Sequence, residues 1–348
     1  MKKIIKSALS IFLCIGFFLF ANAQNVGIGT NQPTAKLHVT EGDVLFMGPQ
    51  TTQPVSNPPI SGAGHRMFWF SSRAAFRGGG VNANQWERDS IGFYSFGFGR
   101  NVLSSGEGSI ALGLNSRATD RGAVSIGTDN AATSNYSLAL GFLNSADGIL
   151  STTIGSENSA SGRSSLAAGT LNQTIGEMSI AFGRENINYS KYSITIGTGL
   201  ISNTYNQVVV GRYNAAFPII GADNTYEELH QVFVVGHGSN FFNRRNTFSI
   251  LNNGRIGIGT DQPKLRMHIA AGALLIERNS GAGDGHLQLE ETTDGDGSRI
   301  SFRNTSVPGR YWDMGGFLNS NNSSIDNAIA FRYSPVGNNF LLYGDGNA

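Results

Sequence analysis

The chain has 348 residues, enough for two or three domains, and contains 46 glycines, while only 14% of its residues are charged. Much glycine and little charge favour tightly turned β structure over helices. The 25 basic and 24 acidic residues leave a formal net charge of +1. With no long run of charge, this balance argues against nucleic acid as a partner.

Residues 1–23 predict a secretory signal peptide. Three lysines precede an apolar run that ends in Ala21-Asn22-Ala23, so we expect cleavage before Gln24 and an extracellular or outer cell-surface location. The run is too short to span a bilayer and nothing later resembles a span, so we expect no transmembrane segment in the mature chain. Cleavage also removes Cys14, the only cysteine, and leaves 22 basic against 24 acidic residues. The mature chain then has no thiol for a disulfide or a metal site.

Residues 24–44 form the first of two related connectors. Gly27-Ile-Gly-Thr30, with Pro33 and Leu37-His-Val39 after it, recurs 230 residues later within residues 255–269. The proline is expected to close a turn between two short strands. A phosphate-binding loop is disfavoured, because neither a helix-forming run nor the motif's lysine follows. His38 and His268 occupy matching positions. Three copies on an axis could hold a metal, but we favour packed surface histidines and predict no metal site or cofactor.

Residues 45–94 predict a small capping unit. The first coil of a repeat array would otherwise expose an open edge. Trp69, Phe70, Phe76 and Trp86 supply the bulk for such a core. An aromatic platform for a sugar is the alternative interpretation.

A period of 14 residues dominates residues 95–254. Residues one and three places before each repeat glycine are mostly apolar, and residues two places before it are small, which is the alternation of a strand. None of the five-residue segments that end at a repeat glycine carries a charge, so we expect both faces of these strands to be covered. We assign the apolar residues to the inside of the coil and the small residues to a contact between chains, with a solvated small face as the alternative. The repeat glycines are Gly99, Gly113, Gly127, Gly141, Gly155, Gly169, Gly183, Gly197 and Gly211.

A second half-unit follows each glycine. Asparagines three places after the glycine are expected to stack in a ladder along the axis, and Gly148, Gly162 and Gly176 mark a second corner where a positive φ is expected. One unit therefore predicts one turn of a β-solenoid. The next glycine, Gly236, follows Gly211 by 25 residues, which predicts an insertion near residues 217–228. The asparagines are Asn130, Asn144, Asn158, Asn172 and Asn186.

The repeated pattern S-x-A-x-G-x-x-N-x-A-x-G resembles the YadA-like head repeat of trimeric autotransporter adhesins. SIALG, SLALG and SIAFG are its best copies. The resemblance implies an all-β fold, a left-handed parallel β-roll of 14-residue coils in which three chains pack side by side on a bacterial surface, flanked here by small antiparallel β modules. The connectors and the capping segment resemble parts of secreted bacterial fibre proteins and phage tail-fibre-like proteins. A thin roll also hides little surface alone, which favours a homotrimer.

Residues 270–348 predict an antiparallel β domain. Its alternating runs HLQLEE, RISFRN, YWDMGGFL, AIAFRYS and NNFLLYG are separated by turns rich in Gly, Asn and Ser. Asp294-Gly-Asp296-Gly-Ser298 begins like a calcium loop but lacks its closing glutamate, so a hairpin turn is favoured. In the fibres that the chain resembles, an ending such as GDGNA leads into a further module, often a self-cleaving chaperone. We therefore expect a truncated or split product, with a simple final strand as the alternative.

No catalytic motif of the common hydrolase, zinc-protease or nucleotide-binding types occurs in the sequence. We therefore predict a non-enzymatic, secreted or surface-exposed fibrous protein, adhesin-like, whose partners are its own copies and an unknown extracellular protein or glycan. One alternative is an acyltransferase-like enzyme on a left-handed β-helix. The 14-residue period, and the absence of histidine between residues 66 and 229, argue against it. A phage-derived tail fibre is the other alternative, which the signal peptide disfavours.

Overall fold

The computed structural model describes residues 25–48, 56–218, 224–270, 272–277, 287–290, 297–303, 311–317, 328–334 and 337–343. The chain divides into two compact units, Met1–Ala271 and Gly272–Ala348. The predicted signal peptide (residues 1–23), residues 219–223 of the predicted insertion and Asp294–Asp296 lie outside the described residues.

Nine five-residue strands, each ending one residue after a repeat glycine, stack in parallel as the middle of a 15-stranded sheet. Neighbouring strands pair glycine to glycine, as Gly141 does with Gly155, so the 14-residue period is the hydrogen-bonding register. These long strands are Phe96–Arg100, Ile110–Leu114, Val124–Thr128, Leu138–Phe142, Thr152–Ser156, Leu166–Thr170, Ile180–Arg184, Ile194–Thr198 and Val208–Arg212.

The second half of each coil contributes a two-residue strand to a parallel eight-stranded sheet. Ala132 pairs with Ala118 on one side and with Ala146 on the other, again at 14-residue spacing. The two sheets form a parallel β-solenoid. The short strands are Leu103–Ser104, Arg117–Ala118, Ala131–Ala132, Ser145–Ala146, Ser159–Ala160, Gln173–Thr174, Ile187–Asn188 and Ile201–Ser202.

The N-terminal end of the solenoid is covered by two strands and two 3₁₀ turns. Ala75–Val81 pairs in parallel with the first long strand, and Gly64–Phe70 pairs antiparallel beyond it. The turns are Ser71–Arg73 and Arg88–Ser90. Phe70 and Trp86 are buried, whereas Trp69 is exposed. The capping residues therefore divide between a core and a surface.

At the C-terminal end the sheet changes direction. Gln231–His237 pairs in parallel with the last repeat strand, Gly236 opposite Gly211, as the 25-residue spacing predicts. Asn246–Leu251 and Ile256–Ile258 then pair antiparallel, and Met267–Ile269 adds in parallel at the edge. The first connector has the same parallel pairing between Val26–Ile28 and Leu37–Val39.

The second unit contains a four-stranded antiparallel meander, Gly297–Arg303, Tyr311–Phe317, Ala328–Ser334 and Gly337–Tyr343. Residues 287–290, from the predicted HLQLEE strand, have no strand. The predicted all-β class, with a parallel solenoid of 14-residue coils and small antiparallel sheets, is confirmed. The handedness of the coil stays a prediction.

The faces of the long strands are the reverse of those we predicted. The small residues two places before the glycine, such as Ala111, Ala139 and Thr153, are completely buried and fill the inside of the coil. The apolar residues on either side of them point outward, and Ile154 and Ile196 are 43% and 49% exposed. In most coils the space between the two sheets is filled by Ala, Ser, Thr and Asn, and larger side chains such as Val102, Leu200 and Val209 lie inside only near the ends of the solenoid.

The second corner also differs from the prediction. Gly148, Gly162 and Gly176 are not among the residues of positive φ. Glycine is needed there for space, since a Cβ on Gly162 would lie 2.1 Å from the carbonyl oxygen of Gly176. The positive φ angles fall two residues later, on side chains as large as Leu150 and Tyr192. An asparagine, aspartate or glycine would be the usual choice there.

Candidate functional site

The repeat glycines form one column along the long-strand sheet. Gly155 has φ +115°, and a Cβ there would lie 2.1 Å from the carbonyl oxygen of Gly169 in the next coil. All nine have positive φ, and each would place a Cβ within 2.3 Å of a backbone oxygen. The column therefore keeps the coils in close contact, which no larger residue permits.

The five predicted asparagines are buried and stacked above one another. Asn158 Nδ2 donates to the Ile154 carbonyl oxygen at 3.0 Å and to the Gly169 carbonyl oxygen of the next coil at 2.8 Å. Its Oδ1 accepts from the backbone N–H of Asn172 at 3.1 Å. Each amide thus closes its own corner and joins it to the following coil, so buried polar groups are satisfied by the repeat itself.

Asn214 takes the same position three residues after Gly211, and sequence reasoning missed it. It is buried, donates to the Ile201 carbonyl oxygen at 2.9 Å, and accepts from the Ile201 N–H at 2.8 Å. Leu200 interrupts the column one coil earlier and packs against Val209 and Val234. The spacing to Gly211 is the signal that would have found Asn214.

Two apolar side chains per coil project outward from the long strands and form what we call the apolar stripe. Its members stand one and three places before each glycine and are half-buried or exposed, with Phe98, Ile154, Phe182 and Ile196 the most exposed among them. The stripe comprises Phe96, Phe98, Ile110, Leu112, Val124, Ile126, Leu138, Leu140, Ile154, Leu166, Ile180, Phe182, Ile194, Ile196, Val208 and Val210, with Thr152 and Ala168 the exceptions.

The apolar stripe continues beyond the repeats. At the N-terminal end Phe76 pairs with Phe96 and stacks on it at 5.4 Å between ring centroids, and Trp69 pairs with Phe76. At the other end Val208 pairs with Phe233, and the stripe runs on through the antiparallel strands as far as Met267 and Ile269. Fifteen strands at about 4.8 Å give a stripe roughly 65 Å long.

An apolar groove opens beside the N-terminal part of the stripe. Its volume is about 550 Å³, and its walls are Val44, Leu45, Phe46, Met67, Phe68, Trp69 and Phe76. Leu45 and Phe46 come from the segment after the first connector and are largely exposed. The groove therefore widens the apolar surface rather than forming a closed, polar-lined pocket of the kind that orients a small substrate.

The charge inside the solenoid is confined to its N-terminal end. Arg77 takes the inward place of a small residue, is buried, and donates to the carbonyl oxygens of Ser95 and Ser104 at 3.1 and 2.7 Å. Burial lowers the pKa of this guanidinium to about 10. Sequence reasoning missed this arginine, which satisfies carbonyl groups of the first coil.

In the part of the chain that the structure describes, the His, Cys, Asp and Glu side chains do not cluster into a candidate metal site. No group of three His, Cys, Asp or Glu residues there is placed to hold a metal. His38 and His268 lie opposite Gly27 and Gly257 in their connectors, and Thr34 N–H donates to His38 Nδ1 at 3.2 Å. Burial raises the pKa of the Asp261 carboxyl. A 2.8 Å hydrogen bond from Asn246 lowers this pKa, but by less than burial raises it. This carboxylate ties the second connector to the solenoid.

No protein-family model matches the sequence, and no curated protein matches it significantly. Among the described residues, no helix has the length and apolar character needed to cross a membrane.

Proposed function

We propose that the chain is an exported, fibrous structural protein, adhesin-like, whose solenoid associates as a homotrimer and presents binding surfaces on its corners. We also propose that its coils are YadA-like head repeats, that the protein lies outside the cell or on the outer cell surface, and that it has no enzymatic role. The fold is compatible with such a rod. The observation that carries the proposal is the apolar stripe.

The stripe is too long and too apolar for a chain that works alone. The largest apolar patch on a soluble monomer is on the order of 300–600 Å². Here at least one outward apolar residue lies on nearly every strand of a 15-stranded sheet. The two apolar rows contain no charge on the nine repeat strands, and the exposed Arg100, Arg184 and Arg212 lie beside them at the strand ends. Other copies of the same chain suit it best, because a repeat on one rod meets the same repeat on the next.

The apolar stripe supports the association of chains but does not say how many associate. The number of three chains comes from the resemblance to trimeric heads. Three rods around an axis would each turn one long-strand face inward. The short-strand faces would stay in water, which their polar residues suit. The corners would remain open to a ligand. Tyr136, Leu150 and Met178 are exposed at one corner and offer apolar contact area to an extracellular protein or glycan.

The test is the mass in solution of residues 24–348, measured by light scattering, for the natural sequence and two paired variants. Phe182→Glu with Ile196→Glu places charge in the stripe and is expected to reduce a trimer to folded single chains. Ser159→Glu with Gln173→Glu places the same charge on the short-strand outer face and is expected to leave the trimer intact. A folded monomer for the natural sequence would refute the proposal.

A further inference from the structure

The loop between Gln231–His237 and Asn246–Leu251 carries two neighbouring phenylalanines at its end, which we call the aromatic tip. Phe241 is 63% exposed and Phe242 is 95% exposed. Their rings meet edge to face, with centroids 5.5 Å apart and planes at 87°. The aromatic tip is separate from the apolar stripe, because it lies in the loop rather than on a strand.

The backbone under the tip is held by its own polar side chains. Asn240 Oδ1 accepts from the N–H groups of Phe242 and Asn243 at 2.9 and 3.0 Å, and Asn243 N–H also donates to the Asn240 carbonyl oxygen at 3.1 Å. Asn243 Nδ2 reaches Ser239 Oγ at 3.1 Å. A turn with this many local bonds presents its two rings at little further entropic cost on binding.

The loop is also fastened to the last coils of the solenoid. Arg244 Nη1 donates to the Gly199 carbonyl oxygen at 2.6 Å, and its guanidinium lies 4.9 Å from the Phe241 ring centroid. The N–H of Arg245 donates to the Tyr213 carbonyl oxygen at 3.1 Å. The rings therefore project from a fixed base, and their exposure is built into the fold.

The surroundings of the tip are basic. Arg212, His237 and Arg245 are exposed, and Arg212 pairs with His237 across the strands. The sequence has no acidic residue between Glu228 and Asp261, and the half-buried Asp261 carboxylate accepts a hydrogen bond from Asn246 at 2.8 Å. Within the described residues, no carboxylate forms an ion pair with Arg212, Arg244 or Arg245. An anionic partner is therefore favoured.

From the tip and its charge we infer that the loop 238–245 docks on an anionic lipid surface, with Phe241 and Phe242 entering the headgroup region and the arginines facing the phosphates. Exposed aromatic side chains flanked by cations suit such an interface. A sugar would need a flat aromatic face with hydrogen-bonding groups beside it, whereas this edge-to-face pair gives no flat platform. The inference does not depend on how many chains associate.

Vesicle co-sedimentation tests the inference with full-length mature chain. The probes are phosphatidylcholine vesicles with about one third phosphatidylglycerol, and vesicles of phosphatidylcholine alone. We expect retention on the anionic vesicles that weakens as salt rises, and at least a tenfold weaker retention on the neutral ones.

Two variants separate the rings from the charges. Phe241→Ser with Phe242→Ser should lower retention on anionic vesicles by at least about tenfold, because the buried apolar area is lost. Arg212→Gln with Arg245→Gln should lower it severalfold and flatten the salt dependence. The control is Phe142→Ser, which removes an exposed phenylalanine at the end of a repeat strand and should leave retention unchanged. Light scattering on each variant checks that the oligomeric state is the same.

A direct readout of insertion uses Phe242→Cys. Residues 24–348 contain no cysteine, so this change gives a single site for an environment-sensitive dye. We expect its emission to shift to the blue on anionic vesicles. Equal retention of the Phe241/Phe242 variant, equal retention on neutral vesicles, or no retention on either would overturn the inference. So would capture by a sulfated glycan or an acidic protein without any vesicle binding.

Discussion

The two outer faces of the solenoid differ sharply although they cover the same interior. The long-strand face carries Ile, Leu, Val and Phe in two rows. The short-strand face carries Arg117, Ala131, Ser145, Ser159 and Gln173 along its middle, with Leu103 at one end and Ile187 and Ile201 at the other. Both sheets turn small side chains inward. What differs is therefore what each face meets outside the chain, and we read the apolar face as the one that meets protein.

The interior that the two faces share is filled mainly by small and polar side chains, and the outer apolar rows lie outside it. Most coils place serine, a small residue, asparagine and a second small residue inside, and the polar atoms of these residues form hydrogen bonds within each coil as well as along the stack. Ser165 Oγ donates to the Gly162 carbonyl oxygen at 2.7 Å, and Thr174 Oγ1 donates to Ser165 Oγ at 3.1 Å. Stacked hydrogen bonds and close packing, rather than a wide hydrophobic core, hold one chain together.

The largest effect is expected from a deletion that places the long strands of one part of the solenoid over the short strands of the next. Deleting residues 142–155 removes one whole coil and should leave a folded, shorter solenoid, because each coil contacts only its neighbours. Deleting residues 142–148 removes half a coil and sets long strands over short ones, so it should abolish cooperative unfolding. Circular dichroism melting curves report both. Equal melting temperatures would contradict the stacked register.

The second-largest loss of stability is expected from a substitution at the close backbone contact between two coils. Gly155→Val forces a β-branched side chain against the Gly169 carbonyl oxygen at φ +115°, so we expect a loss of about 4 kcal/mol or more in unfolding free energy. Ser156→Val changes the neighbouring residue, which is half-buried and outward, and should cost less than about 1 kcal/mol. Urea titration measures the two. A similar loss of unfolding free energy in both variants would show that the close contact at Gly155 is not what makes glycine necessary there.

The asparagine ladder should have an intermediate effect. Asn158→Ala removes bonds to the Ile154 and Gly169 carbonyl oxygens and leaves the Asn172 N–H buried without its acceptor, at a cost of roughly 2–4 kcal/mol. Ser159→Ala alters the next residue on the polar outer face and should cost about 0.5 kcal/mol or less. Urea titration applies again, and a smaller loss for Asn158→Ala than for Ser159→Ala would refute the ladder.

The smallest effect sharpens the assignment of the faces. Ala139 is completely buried and Leu140 is only half-buried, so Ala139→Leu should cost about 2–3 kcal/mol by overpacking and Leu140→Ala about 1 kcal/mol. The measurement belongs in the Phe182→Glu/Ile196→Glu background, where the proposed contacts between chains are expected to be lost. If the apolar residues were inside, as we predicted from the sequence, the order of the two losses would be reversed.

Much of the fold could be read from spacing. Nine glycines at one period predicted the long strands and their register, and the asparagines predicted the ladder of stacked amides along the axis. The capping unit followed from the need to cover an open edge. Arg77 was missed because it lies before the first repeat strand, and Asn214 because Leu200 interrupts the asparagine column one coil earlier.

The sequence by itself determined the period, the strand alternation and the positions that require glycine, because hydrogen-bond register along a solenoid must repeat whenever the chain does. Only the tertiary structure decided which side of each long strand lies inside. Alternation marks two faces without saying which one is enclosed, and the usual preference for apolar residues inside pointed the wrong way. The decision rests on the distance between the two sheets of a 14-residue coil. That gap admits Ala139 and Asn144 and leaves Leu140 outside.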